Sequence, residues 1–168
     1  RRRRRRRSAV PGALSDREAL ERAFRMLARR PHSEREIRRA LREKGAAAGD
    51  VDRVLERLRE LGYVDDAAFA RGWAKSRAGG RLWGDRRIAA GLREKGIPEE
   101  LIRSTLSELR EEMDEGEALR RCLEKQLRGR DPAALDRKEQ RRLAQSLSGR
   151  GFPPDLIVRA LKTAAGDG

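Results

Sequence analysis

The sequence holds few of the residues that build catalytic or metal-binding sites. It has one cysteine and one histidine, and aromatic residues make up only 4% of the chain. A single cysteine excludes an intramolecular disulfide and a cysteine-based metal cluster, and Cys122, beside Leu119 and Leu123, is predicted to be a small core residue. His32 has no second histidine, so neither a histidine metal site nor a histidine-activated nucleophile is expected. We therefore expect no catalytic residues, no metal, no cofactor and no enzymatic activity.

Long hydrophobic runs are also missing. No apolar stretch approaches the roughly 20 residues that a helix needs to span a bilayer. The arginine-rich beginning of the sequence has no apolar segment of the kind found in secretory signals. We expect a cytoplasmic protein that does not contact membranes.

A glycine motif in the middle of the chain does not indicate a nucleotide site. Gly79 and Gly84 have the spacing of the two glycines of a P-loop, but Asp85 stands where that loop needs lysine. A carboxylate there would repel phosphate. The predicted surroundings are helix–loop–helix, whereas a P-loop joins a strand to a helix.

Charge is what the sequence has in excess. Charged residues make up 42% of the chain, the net charge is +14, and the first seven residues, all arginine, supply half of it. Such a surplus predicts a polyanionic partner or an acidic protein surface, although it could also serve solubility alone. Residues 1–14 are predicted to be a disordered arginine-rich arm, because like charges repel and Pro11-Gly12 interrupts a helix. This arm could be a phosphate-binding tail or only a linker.

The small apolar share, 37% of the chain, favours helical units with thin, shared cores over one large core. The form Ser-x-x-Glu at Ser15 and Ser33 predicts two helix starts. Asp50 is predicted to cap a third helix, which ends at Leu61-Gly62. Three helices are therefore expected before the pattern begins again.

The pattern repeats around three glycines, Gly45, Gly96 and Gly151. Apolar residues recur eight and four positions before each glycine and six and ten positions after it. They are Ile37, Ile88 and Leu143; Leu41, Leu92 and Leu147; Val51, Ile102 and Ile157; Leu55, Leu106 and Leu161. Offsets of four place the members of each pair on one helix face. The sequence predicts an all-α, elongated array of three tandem three-helix repeats, at residues 15–62, 63–112 and 113–165.

The middle of the chain contains the most specific stretch. Gly62 is predicted to end a helix, and Asp65 or Asp66 to cap the next one, which carries an apolar face. A break is expected at the pair Gly79-Gly80. The following helix is predicted to close at the pair Lys95-Gly96.

This stretch resembles the central signature of the RecX family, bacterial regulators of the RecA recombinase. The matching residues are Leu61, Gly62, Tyr63, Val64, Asp65, Asp66, Phe69, Ala70, Trp73, Arg77, Gly84, Arg87, Ile88, Leu92, Lys95, Gly96 and Ile97. The resemblance implies a non-enzymatic protein that binds RecA filaments on single-stranded DNA, in their helical groove. It also implies restraint of filament growth and of the ATPase, strand-exchange and co-protease activities of RecA, and hence a role in DNA repair, recombination and the SOS response.

Cationic residues are concentrated in the middle repeat, interleaved with two tryptophans. They are Arg71, Lys75, Arg77, Arg81, Arg86, Arg87, Arg93 and Lys95. We predict that they contact RecA or DNA, although a solvated helix surface is the alternative. Trp73 is expected in the core, whereas Trp83 is expected to start a helix, with core and contact roles both open. Arg77, Arg87 and Lys95 are also among the residues that match the RecX signature, so they are the strongest candidates for partner contact. They could instead brace one repeat against the next.

Two rival functions remain open at this point. The chain could be a nucleic-acid-binding module that acts without RecA, since its charge would suit that role equally well. A scaffold for another acidic protein is the third possibility. Single-stranded DNA is expected to bind weakly and without sequence preference, and the protein is expected to be a monomer.

Overall fold

The computed structural model describes residues 14–164, and within that range the secondary structure is helical. Residues 1–13 of the predicted arm and the last four residues lie outside the described range. The helices are α1 (Asp16–Leu27), α2 (Glu34–Glu43), α3 (Ala48–Glu60), α4 (Asp66–Arg81), α5 (Asp85–Glu94), α6 (Glu99–Glu112), α7 (Glu115–Leu127), α8 (Arg137–Gly149) and α9 (Pro154–Ala164). A short 3-10 helix, Pro132–Ala134, precedes α8. The all-α class and the three helix trios are confirmed; the elongation and the repeat boundaries stay predictions.

The starts of the first two helices follow from their capping residues. Ser15 and Ser33 each accept a hydrogen bond from the backbone of the glutamate three residues on, whose side chain bonds back to the serine N–H. Both predicted capping boxes are therefore confirmed. The prediction for Asp50 is wrong, because α3 begins two residues earlier behind Ala47. Asp50 lies within the first turn, where a negative charge is favourable, and its carboxylate pairs with Arg53 instead of capping the helix.

The three glycines that anchor the repeat all adopt left-handed backbone conformations. Their φ angles are +85° at Gly45, +79° at Gly96 and +93° at Gly151. In each copy the N–H of the next residue donates to the carbonyl four residues before the glycine, which closes the helix end in the same way. A side chain would strain this conformation, so glycine is required at all three ends.

The apolar positions counted from these glycines form the cores, as predicted. Ten of the twelve are buried, and Leu106 and Leu161 are partly buried. The described part of the chain divides into two compact units, with the division between Phe69 and Ala70. In the first unit, α1, α2 and α3 enclose Ile37, Leu41 and Leu55.

The second unit contains most of the middle trio and all of the third. In the third trio, α7, α8 and α9 pack around Leu119, Cys122, Leu147 and Phe152. Cys122 is buried, which confirms the prediction that it is a core residue.

The connection between α4 and α5 corrects two predictions. The pair Gly79-Gly80 does not interrupt the helix, because α4 continues through Arg81. A stripe of buried alanines on α4 supports the helix through these glycines, and it ends only where Leu82 takes a left-handed conformation, with φ +52°. Trp83 does not start a helix either, since it lies in the short connection before α5.

No helix within residues 14–164 is long and apolar enough to cross a membrane.

Candidate partner-binding surface

Two tryptophans and three cations of the second unit form one cluster, which we call the cation–tryptophan cluster. Its members are Trp73, Trp83, Arg77, Arg87 and Lys95. The two rings meet edge to face, with centroids 5.9 Å apart. The guanidinium of Arg77 lies 5.1 Å from the Trp73 centroid and 5.4 Å from that of Trp83. Arg87 lies 4.3 Å from the Trp83 centroid, and the Lys95 ammonium 5.8 Å from that of Trp73. All five contacts are within or close to the range of cation–π and edge-to-face attraction.

Glycine determines how closely Trp73 can approach α5. A Cβ placed on Gly91 would come within 2.3 Å of the far end of the Trp73 ring. The indole therefore packs against bare helix backbone. Trp73 and Trp83 are both only partly buried. Trp73 is therefore less enclosed than the core position that the sequence predicts for it.

Arg87 also connects the middle trio to the third. Its Nη1 donates to the carbonyl of Gly149, at 2.8 Å. In return, the Nη1 of Arg150 donates to the carbonyl of Arg81, at 2.9 Å. The sequence left two roles open for Arg87, partner contact and bracing of one repeat against the next. The hydrogen bond to Gly149 shows that Arg87 connects two repeats.

The backbones of these two trios touch at Gly84 and Gly151. A Cβ on Gly84 would lie 2.6 Å from the carbonyl carbon and oxygen of Gly151. The N–H of Gly84 donates to the carbonyl of Arg150 at 2.8 Å. Such an approach leaves no room for a side chain, which explains glycine at position 84.

Arg77 is the most constrained cation of the cluster. Its Nε is buried and finds no hydrogen-bond partner among residues 14–164. A buried donor without a partner costs free energy, which attraction to the two indole rings offsets in part.

Two of the remaining predicted contact residues are already paired within the protein. Lys75 lies 2.5 Å from a carboxylate oxygen of Glu112. Arg93 pairs with Glu99 at 2.8 Å, and the hydrogen bond from Arg93 lowers the pKa of the Glu99 carboxyl. A partner would have to compete with these carboxylates.

The other three predicted contact residues are exposed on the second unit. Arg71, Arg81 and Arg86 form no ion pair within the described part of the chain. The charges of Arg71 and Arg81 are therefore available to a partner, whereas the charge of Arg86 also acts on the nearby Glu115 carboxyl and opposes the rise of its pKa.

Carboxylates from the start of one trio cap the second helix of the preceding trio. Asp66 accepts a hydrogen bond from the N–H of Glu34 at 2.9 Å, and Glu115 accepts one from the N–H of Asp85 at 2.8 Å. Burial raises the pKa of both the Asp66 and Glu115 carboxyl groups. Of the two residues predicted to cap α4, Asp65 does so, because its carboxylate accepts hydrogen bonds from the N–H groups of Ala67 and Ala68.

The remaining signature residues divide between core and surface. Phe69, Ile88 and Leu92 are buried. Leu61 and Tyr63 are exposed, and Tyr63 packs edge to face against Phe24, with centroids 5.0 Å apart. Gly62 has φ +72°, as a helix end requires.

Sequence reasoning missed two cations, Lys125 and Arg150, which line a cavity together with Arg81 and Arg87. A signal for Arg150 existed, because Lys44, Lys95 and Arg150 all directly precede the three anchoring glycines. No comparable signal marks Lys125, since α7 does not follow the repeat spacing.

Within residues 14–164, no group of three or more histidine, cysteine, aspartate or glutamate side chains could hold a metal ion. Three helix trios define a helical-repeat protein, and its second unit carries a cationic, tryptophan-containing cluster. Three family models, for the first, second and third three-helix domains of RecX, match residues 19–58, 65–106 and 114–161. The chain belongs to the RecX family of regulatory proteins, which are not enzymes.

Individual RecX proteins are similar in sequence to this chain over most of its length. The regulatory protein RecX of Pelodictyon phaeoclathratiforme is 37% identical over 154 residues, which is 91% of this chain and 89% of the relative. That of Thermus thermophilus is 37% identical and covers 90% of this chain and 95% of the relative. The crystal structure of RecX from Lactobacillus salivarius shares the fold, with a TM-score of 0.75 and 20% identity, over 89% of this chain and 96% of that one.

Proposed function

We propose that this protein regulates RecA by binding RecA filaments on single-stranded DNA, in their helical groove. Bound there, it limits filament growth and with it the ATPase, strand-exchange and co-protease activities of RecA. It thereby acts on DNA repair, homologous recombination and the SOS response. Membership in the RecX family supports this proposal, together with the cationic residues of the second unit.

The observation that carries the proposal is the contrast among those cations. The protein neutralises Lys75 and Arg93 with its own carboxylates, whereas Arg71, Arg81 and Arg86 are exposed and make no such pair within residues 14–164. Exposed arginines are suited to phosphates and carboxylates, both of which they can bind with two parallel hydrogen bonds. A long partner contacted at several such points gains avidity from modest local affinities.

Inhibition requires more than attachment. The protein shifts RecA between filament states only if it binds one state more tightly than the other. A rigid binding surface meets this condition when neighbouring RecA subunits present their acidic groups at the right spacing in one state alone. The contacts of Arg87 to Trp83 and to the Gly149 carbonyl provide such rigidity in the second unit.

The test is charge reversal at two exposed arginines outside the cation–tryptophan cluster. In Arg71→Glu/Arg86→Glu, we expect the concentration needed to inhibit the RecA ATPase to rise about tenfold or more, because both attraction and steering are lost. Lys138→Glu is the matched control, because it reverses the charge of an exposed residue on α8. It should change inhibition little. Unchanged inhibition in a folded double variant would exclude this surface from RecA binding.

A nucleic-acid-binding module that acts without RecA is the second candidate, favoured by the seven arginines at the start of the sequence. Deleting residues 1–7 separates the two functions. A pure nucleic-acid binder should lose affinity for bare single-stranded DNA, and its salt slope should fall by roughly 0.7 per lost phosphate contact. A RecA regulator should keep most of its inhibition.

A further inference from the structure

A cavity of about 630 Å³ lies where the middle and third trios meet within the second unit. We call it the junction cavity. It is lined by the connection between α4 and α5, by α5 and α7, and by the end of α8. Its volume is in the range of sites that bind small molecules. Several of its side chains are exposed, so a ligand can reach it from solvent.

The lining of the junction cavity is positively charged. Four cationic side chains line it, and no carboxylate does. They are Arg81, Arg87, Lys125 and Arg150. None of the four pairs with a carboxylate within residues 14–164. Four like charges around one cavity repel each other, so a bound anion would lower the electrostatic energy of the folded protein.

Two of the four cations are held in place before any ligand arrives. Arg87 donates one N–H to the carbonyl of Gly149, and Arg150 donates one to the carbonyl of Arg81. A guanidinium has five N–H donors, so each keeps others for a ligand. Anchoring reduces the entropy lost on binding, which makes this a prepared site.

A second arginine-lined cavity differs in how its cations are brought together. It measures about 280 Å³ and is lined by Arg22, Arg25, Met26 and Arg29, all on or just after α1. These side chains come from neighbouring turns, whereas the junction cavity draws its cations from four separate parts of the second unit. Of these two cavities within the described residues, the junction cavity is the one whose charges the tertiary fold brings together.

We propose that the junction cavity is an anion site that holds backbone phosphates of single-stranded nucleic acid. The proposal rests on the proposed function, because a RecA filament contains such a strand. Arginine and lysine are the usual partners of phosphate oxygens, and Ser146 and Gln126 add neutral donors to the lining.

The arrangement favours phosphates over bases and over peptides. The ring of Trp83 is already engaged by Arg87 and Arg77, so it does not offer an open face for a base to stack on. Binding should therefore be independent of sequence. The polar part of the lining exceeds the apolar part, which favours an anion over the apolar side chains of a peptide.

Tryptophan fluorescence reports on this site, because both tryptophans of the chain belong to the cation–tryptophan cluster and Trp83 lines the cavity. In the full-length protein, we expect oligo(dT) to change the emission. A strand held only by the arginine-rich arm would leave it unchanged. Inorganic tripolyphosphate should produce a similar change at higher concentration, while poly-glutamate should produce a weaker one.

Lys125→Ala is the diagnostic variant, since Lys125 is exposed and anchors nothing else in the described structure. We expect it to weaken the oligo(dT)-induced change roughly three- to tenfold and to reduce the salt slope by about 0.7. Lys138→Ala removes the same charge outside the cavity and should leave both quantities unchanged. Arg81→Gln provides a second variant, and circular dichroism confirms that each is folded.

The outcomes separate this site from the proposed function. Equal responses of Lys125→Ala and Lys138→Ala would overturn the site, as would poly-glutamate binding more tightly than oligo(dT) in a Lys125-dependent manner. The RecA ATPase is measured with the same proteins. Lys125-dependent oligo(dT) binding without RecA inhibition would contradict the proposed function and support the anion site. RecA inhibition without a fluorescence change would contradict the anion site and support the proposed function.

Discussion

The first and second units carry similar helix trios but use their arginines differently. In the first unit, Arg38, Arg53 and Arg59 pair with carboxylates of other helices, at Asp52, Asp16 and Glu34. In the second unit, Arg77 and Arg87 instead lie against indole rings, and Arg87 and Arg150 donate to backbone carbonyls. Carboxylates thus neutralise these three arginines of the first unit. Within the described residues, Arg77, Arg87 and Arg150 of the second unit form no such ion pair, although other arginines there do, such as Arg110 with Asp85.

This difference shows that the repeat specifies the core and leaves the surface to vary. The same apolar positions are filled in all three trios, whereas the two tryptophans and the arginines that contact them lie in the second unit. We expect substitutions at the core or backbone of the repeat to affect stability. Substitutions of the surface cations should affect partners more than stability.

The largest expected effect follows from the glycine contact of the second unit. Gly84→Ala would place a Cβ 2.6 Å from the backbone of Gly151, which cannot rotate away. We expect a loss of about 3 kcal/mol or more in the free energy of unfolding of the second unit, measured by urea titration with circular dichroism. The hydrogen bond from Gly84 N–H to the Arg150 carbonyl should be lost with it.

Gly80→Ala is the matched control. Nothing lies within 4 Å of a Cβ at this helical position, so alanine should stabilise the protein by up to about 1 kcal/mol through helix propensity. If Gly84→Ala were as stable as Gly80→Ala, the close contact between the middle and third trios would not exist in solution.

Much of the fold could be read from the sequence, because the helix ends carry local signals. The three left-handed glycines and the two Ser-x-x-Glu boxes act within a few residues of themselves, and all five were identified correctly. The failures were also local. Local preference predicts a break at Gly79-Gly80, where the buried alanine stripe of α4 keeps the helix intact. It also predicts a cap at Asp50, which instead lies in the first turn of α3 and pairs with Arg53.

The candidate site was only partly accessible from the sequence. The candidate cations can be identified from the sequence because they are concentrated in the middle repeat. Some of them pair with carboxylates, some lie against indole rings and some are exposed, and this depends on neighbours that are far away in the chain. Glu112 is 37 residues from Lys75, and Gly149 is 62 residues from Arg87. Lys125 and Arg150 join the junction cavity only because α7 and α8 pack against each other and against the middle trio.

A pair of arginines tests the comparison between the units directly. Arg87→Met keeps a flexible apolar chain but removes the contact to Trp83 and the hydrogen bond to Gly149, so we expect a loss of about 1–2 kcal/mol in the second unit. Arg53→Met removes exposed ion pairs with Asp16 and Asp50 in the first unit and should cost less than about 1 kcal/mol. Thermal unfolding of both variants measures the difference. Equal losses would mean that the arginines of the two units contribute alike.

The smallest expected effect concerns a feature that both units share, the carboxylate that caps the preceding trio. Burial raises the pKa of Glu115, while the Asp85 N–H and the Arg110 charge oppose this. Because the folded pKa exceeds the unfolded one, the native state binds more protons between the two values. The contribution to stability is complete below the unfolded pKa and is lost as pH rises through the folded pKa.

Glu115→Gln keeps an acceptor for the Asp85 N–H and abolishes this titration. We expect its free energy of unfolding, measured between about pH 4 and pH 7, to fall less with rising pH than that of the unchanged protein. Glu139→Gln is the control of opposite sign, because hydrogen bonds from Arg130 and the Asp136 N–H lower the pKa of Glu139. Its stabilising contribution is present above the unfolded pKa and is lost as pH falls. If both variants shifted the pH profile in the same direction, burial would not control the carboxylate at this junction.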